Sequence, residues 1–206
     1  MVPHPEHEGV VQYDPDYEPK MPVGAVRGDI RRQDYCPMCN VPRYYYVDEP
    51  RTCVQCGEAF TFGAAEQKHW YETLQFFADS IAIRCLGCRK QQRGKVAITR
   101  QLVAALAAQA RSPDDPACLI EVAEARVRYR EAHGTGALDS GLAAARRAQK
   151  FWPDQPRAIF WEGRLQELAG RPVKARACYQ RFLDAYSGQR GLQPQRRHAE
   201  EFLASE

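Results

Sequence analysis

No apolar run in this chain is long enough to cross a membrane: the longest, Leu102 to Ala108, is far short of the roughly 20 residues a spanning helix needs. A secretory leader pattern is missing as well, because MVPHPEHEGVVQYDPDYEP is acidic and proline-rich, with neither a basic start nor an apolar centre. Charge of one sign is scarce. Lys plus Arg number 29 against 26 Asp plus Glu, a net +3, too little by itself to imply a nucleic-acid partner. Large apolar residues are few over 1–34, where Pro3, Pro5, Pro15, Pro19 and Pro22 fall. Such a segment cannot bury enough surface to offset its ordering entropy. It is expected to be an extended or disordered acidic, Pro-rich arm, ordered only where Val10, Val11, Tyr13 or Tyr17 meet a groove. His4 and His7 on that arm are read as solvated. Carboxylates are wholly missing from Ser80 to Pro113, a stretch that carries Arg84, Arg89, Lys90, Arg93, Lys95, Arg100 and Arg111.

Cysteine is plentiful. Six of the eight fall in three Cys-x-x-Cys pairs: Cys36/Cys39, Cys53/Cys56 and Cys85/Cys88. Paired spacing of this kind reads as metal binding in a reducing compartment rather than as a disulfide scaffold, so a cytoplasmic location and no membrane partner are expected. Each turn presents two thiolates, and two turns close the tetrahedral shell of one zinc ion without a water. The first and second pairs are separated by 13 residues, the second and third by 28. The shorter spacing makes a compact site, and the longer leaves room for a helix. Just past a metal-binding turn a positive φ is favoured; Gly57 and Asn40 suit it and Arg89 does not. Local chemistry leaves the pairing open.

Between the pairs, residues 41–47 are β-prone and Asp48-Glu49-Pro50 reads as a turn. Phe60-Thr61-Phe62 reads as a short strand, and Ile81-Ala82-Ile83 as another. Ala64 to Phe77 places Trp70, Leu74 and Phe77 at i, i+4 and i+7, predicting a helix with one apolar stripe.

The combination Tyr-Tyr-Tyr-Val-Asp, Cys53-x-x-Cys56-Gly57, Phe60-x-Phe62, Glu66-Gln67, Trp70-Tyr71-Glu72 and Arg84-Cys85-x-x-Cys88-Arg89 resembles the bacterial probable zinc-ribbon domain family over residues 44–93. The resemblance implies that Cys53, Cys56, Cys85 and Cys88 bind Zn2+. The family pattern does not require an upstream pair, which leaves Cys36 and Cys39 as a second or alternative site, or as a partly buried dithiol. His69 is read as a surface histidine beside Trp70. Glu66 and Gln67 are read as residues that open the helix through capping or its dipole.

Residues 95–111, rich in alanine and leucine and stopped by Ser112-Pro113, predict a helix. Beyond it, a shift of 34 residues aligns Tyr129 with Gly163, Gly136 with Gly170, Gly141 with Ala175, Ala145 with Tyr179 and Ala148 with Phe182. That period and the placement of Pro153 resemble the tetratricopeptide repeat. Helices at 95–111 and about 194–204 would cap the array. Cys118, Cys178, Trp152, Trp161 and Tyr179 are read as packing residues.

The expected fold is α+β: an arm over 1–34, a small zinc ribbon of short strands plus one helix over 35–94, and an all-α tetratricopeptide-like array over 95–206. The expected function is non-enzymatic, a zinc-binding scaffold whose repeats hold a protein partner. The alternative is nucleic-acid binding through Arg84, Arg89, Lys90, Arg93, Lys95 and Arg100. Use of Cys36/Cys39 as a redox dithiol has little behind it, since no βαβ pattern surrounds the pair.

Overall fold

The computed structural model describes residues 2–3, 11–37 and 39–205; the readings of His4, His7 and Val10 lie outside them. The chain divides into two compact units, Met1–Lys90 and Gln91–Glu206. Small strands come first, and seven α-helices follow among the described residues.

In the first unit three two-stranded antiparallel ladders succeed one another. Strand β1 (Val2–Pro3) pairs with β2 (Val11–Gln12), β3 (Val26–Arg27) with β4 (Tyr45–Tyr46), and β5 (Glu49–Thr52) with β6 (Ala59–Phe62). The arm expected over 1–34 is therefore not uniformly extended. Val26 stands opposite Tyr46, the Gly28 N–H donates to the Tyr44 carbonyl at 2.8 Å, and Ile30 is buried. Most of 41–47 stays irregular, with only Tyr45–Tyr46 in a strand. Asp48-Glu49-Pro50 is not a turn either, since β5 already begins at Glu49. Instead the Asp48 carboxylate accepts from the Ala64 N–H at 2.7 Å and so caps helix α1 (Ala64–Lys68), satisfying a donor that helix geometry leaves open.

The helix expected through Phe77 is shorter. After α1 the backbone widens into a π-helical turn, His69–Thr73, and Gln75 takes a φ of 51°, the left-handed region that ends a helix. Trp70 packs edge-on against Phe62 and Phe76 at 4.9 and 5.0 Å, whereas Leu74 and Phe77 are exposed. The predicted stripe is thus not the buried face. Tyr71 and Tyr46 stack instead, with ring centroids 5.8 Å apart. Residues 81–83 form no strand, though the Val54 N–H donates to the Ile83 carbonyl at 3.0 Å.

The second unit contains most of α2 (Leu86–Arg111), then α3 (Pro116–His133), α4 (Leu138–Phe151), α5 (Pro156–Leu168), α6 (Pro172–Ala185) and α7 (Gln193–Ala204). Proline in the first turn starts α3, α5, α6 and α7, where a missing N–H costs nothing. Asp115 caps α3 by accepting from the Ala117 N–H at 3.0 Å. One apolar core, from Leu102 to Ala199, runs through all six helices. Three of the five rows aligned by the 34-residue shift lie in its interior, where Ala145, Ala148, Ala175, Tyr179 and Phe182 are fully buried, whereas Gly136 and Gly170 are exposed and Tyr129 is half-buried. Glycine permits two close approaches. A Cβ on Gly141 would lie 2.9 Å from the Leu165 side chain, and one on Gly163 would lie 2.8 Å from the Tyr179 ring. Trp161 and Cys178 are buried as expected, but Trp152 is 46% exposed because it stands just past the end of α4. Cys118 is half-buried, its Sγ 3.2 Å from Asp115 Oδ2.

Candidate metal centre

Cys53 and Cys56 stand on the turn between β5 and β6. Gly57, at φ 77°, lets the turn close with its N–H donating to the Cys53 carbonyl at 2.9 Å. Cys85 and Cys88 stand where α2 begins, with the Arg89 N–H on the Cys85 carbonyl at 3.0 Å. The second pair therefore needs no positive φ, because its turn is the first turn of a helix. This is why Arg89 is compatible with the site. The helix N-terminus also places partial positive charge beside the two sulfurs.

The structure brings the Sγ atoms of Cys53, Cys56, Cys85 and Cys88 within 4.8 Å of one another, with Cys56 Sγ and Cys85 Sγ 3.9 Å apart. Four sulfurs about 2.3 Å from one tetrahedral ion stand about 3.8 Å from each other, so the set fits a single metal ion. Its electrostatics point the same way. Hydrogen bonds from the Cys85 backbone, and then from the Cys56 and Gln55 backbone, draw the Cys53 thiol down to about 6 against the opposing effect of burial. Cys88 is pushed up to about 12, chiefly by its hydrogen bond with Cys85 and by burial. Four thiols this close cannot all ionise alone, and a divalent cation takes the place of the protons.

The residues between the pairs hold this arrangement. Gln67, buried, donates through Nε2 to the carbonyls of Val47 at 2.5 Å and Phe62 at 2.7 Å, tying the approach to β5 to the end of β6. Glu66 pairs with Arg89 at 2.6 Å, and the Arg89 guanidinium lies 5.2 Å from the centre of the Trp70 ring. Tyr71 donates to the Ser80 carbonyl. Glu66 and Gln67, read in the sequence as helix-opening residues, thus act as cross-links that position the second cysteine turn. A further group was not visible in the sequence. Glu72, 3% exposed, accepts from the Asp29 N–H at 2.8 Å and from the Tyr46 hydroxyl at 3.1 Å, and Gln33 donates to the same hydroxyl at 2.9 Å.

Cys36 and Cys39 occupy a turn closed by the same bond, the Asn40 N–H donating to the Cys36 carbonyl at 3.0 Å, but Asn40 does not take the positive φ expected of it. The Asn40 side chain accepts from the Cys36 N–H at 2.8 Å and donates to Asp79 at 2.6 Å. This pair is not part of the four-sulfur cluster. Its Cys39 thiol is raised, first by a hydrogen bond with Cys36 and then by the charge on that residue, with burial and Asp79 adding to the effect.

Of the basic residues singled out in the sequence, Arg89 is occupied by Glu66 and Trp70, and Arg84 and Lys95 are half-buried. Lys90, Arg93 and Arg100 are exposed. No helix is long and apolar enough to cross a membrane among the described residues.

A knuckle, a β-hairpin and a helix that supplies the second cysteine pair define a metal-binding treble clef. Residues 47–96 match the family described as "Probable treble clef domain", in agreement with the resemblance read over 44–93. No curated protein matches the chain.

Proposed function

We propose that the protein is a non-enzymatic zinc-binding scaffold, in which the treble clef is a structural module and the helical array holds a protein partner. The observation that carries this reading is the four-sulfur cluster. Four cysteine ligands saturate zinc, the ion best suited to an all-thiolate tetrahedron, and leave no position for substrate or activated water. The array supports the second half. Its buried rows repeat at 34 residues, as in tetratricopeptide repeats, which stack helix pairs into a concave binding surface. A groove of about 500 Å³ runs across α2, α3 and α5, with Ala104, Ala105, Ala108 and Ala125 among the small residues lining it and Glu121 and Arg128 among the charged ones. Such a groove admits an extended segment of a partner. The free thiols of Cys53, Cys56, Cys85 and Cys88 suit a reducing compartment on this reading.

The test has two arms. Metal analysis of the purified chain, with absorption spectra of the cobalt-substituted form, should give a tetrahedral all-sulfur ion; a coordinated solvent molecule would contradict the structural role. Affinity capture should recover a specific protein that is lost on Ala104→Arg, at an exposed residue of the groove. Capture that is unchanged by this substitution would remove the groove from the reading.

A further inference from the structure

Between Arg93 and Arg111, α2 carries a row of cations that no carboxylate among the described residues pairs with. Leu102 and Ala105 are its buried residues and fix its inward face. At 3.6 residues per turn, Arg93, Arg100 and Arg111 recur after close to whole numbers of turns and lie on the side opposite Leu102 and Ala105. All three are exposed. The row spans about 27 Å of helix, with intervals of about 10 and about 16 Å.

In the remaining helices of the unit several arginines are ion-paired, although Arg126, Arg130, Arg176, Arg181 and Arg197 make no ion pair among the described residues. Arg146 pairs with Glu162 at 2.8 Å, Arg157 with Glu124 at 2.9 Å and Arg164 with Glu167 at 2.7 Å. Arg196 pairs with Glu200 on its own helix. Among the described residues, Arg93, Arg100 and Arg111 make no ion pair, and α2 itself contains no acidic residue. A helix meant only to be solvated gains from carboxylates at i±4, and α2 has none. Within α2 the positions four residues from Arg93, Arg100 and Arg111 are Arg89, Val96, Ala97, Ala104 and Ala107.

We propose that this face of α2 binds the phosphate backbone of a nucleic acid, an activity separate from that of the metal centre. The guanidinium is the side chain suited to bidentate contact with phosphate. A row of fixed spacing along one helix matches a polymer whose charge repeats along its length, and α2 sets no carboxylate of its own beside it. Contacts of this kind track the backbone and carry no sequence preference.

The experiment uses the full-length, zinc-loaded chain and fluorescence anisotropy of labelled single-stranded RNA, single-stranded DNA and duplex DNA of one mixed sequence. Three phosphate contacts on a duplex give a slope of about −2.7 in log K against log salt, a loss of about fortyfold between about 50 and about 200 mM. Arg93→Glu/Arg100→Glu should abolish most of the low-salt binding, a loss of about tenfold or more. Lys150→Glu/Lys174→Glu makes the same change in net charge on α4 and α6 and should leave affinity within about twofold. The milder Arg93→Gln/Arg100→Gln pair, with helicity checked by circular dichroism, separates lost contacts from lost fold. No binding by the wild type at low salt overturns the proposal. So does equal weakening by both Glu pairs, or α2-dependent binding to phosphatidylserine vesicles with none to nucleic acid.

Discussion

The two units reach stability by opposite routes. In the second, a continuous apolar core from Leu102 to Ala199 is built largely from alanine, leucine and aromatic residues, and burial of area is the main favourable contribution. In the first, the buried cluster is little more than Tyr46, Tyr71 and Ala64 with Val26 and Trp70 against it. The interior there is shared with Gln33, Gln67 and Glu72. A unit with so small a core needs cross-links that join residues far apart in sequence. The four sulfurs are the strongest, and the buried amide and carboxylate bonds are the next.

Metal removal is the largest expected break in that contrast. Structural zinc contributes about 10–16 kcal/mol in small metal-dependent domains, more than any other single cross-link here. Chelation, or Cys53→Ser, should unfold the first unit, seen as a change in Trp70 fluorescence against a Trp152→Phe/Trp161→Phe background. Most far-UV helical signal should persist, because α3 to α7 owe nothing to the metal. Loss of that signal in parallel would mean that the array depends on the metal too.

The reciprocal experiment removes packing. Leu165, fully buried between α5 and its neighbours, should cost about 2–5 kcal/mol when replaced by alanine, the usual range for such a cavity. Urea unfolding of the array should shift accordingly while metal content stays unchanged. A fall in metal content would show that the two routes are linked.

Gln67→Ala should cost less, about 1–3 kcal/mol, since the carbonyls of Val47 and Phe62 lose their donor inside the protein. Its readout is weaker metal retention against a competing chelator, with array stability unaltered. An unchanged metal affinity would reduce Gln67 to a filler.

The same contrast explains what could be read from the residues in order. The Cys53/Cys56 and Cys85/Cys88 pairs are local signals, and the structure brings their four sulfurs together; the 34-residue recurrence is a periodic one, and three of its five rows are buried. The bonds of the first unit are neither. Glu72 meets Asp29 and Tyr46 at separations of 43 and 26 residues, and no spacing rule pairs them. The Trp70, Leu74, Phe77 pattern suggested a full helix, but a π-turn and the left-handed Gln75 redirect the chain before that face is used. Trp152 was read as a packing residue of the repeat, yet its position past the end of α4 leaves it exposed.

Acid should produce the smallest effect, confined to the array. Glu167 accepts from the Tyr179 hydroxyl at 2.5 Å and meets His198 Nε2 at 3.0 Å and Arg164 Nη1 at 2.7 Å; Arg164 also reaches Glu131. Burial alone would raise the Glu167 pKa, but the bonds from Tyr179, His198 and Arg164 outweigh it and hold the carboxyl below its ordinary 4.5. The unfolded chain therefore takes up this proton before the folded one does. The contribution is fully present above about pH 4.5, declines as pH falls below that value, and is gone once the folded carboxyl is protonated. Because the group is partly open to solvent, the expected loss is modest, about 1 kcal/mol. Urea midpoints of the array measured between pH 6 and pH 3 should show it, and in Glu167→Gln the slope assigned to this carboxyl should vanish while the starting stability is already lower. An identical acid slope in that variant would remove Glu167 as its source.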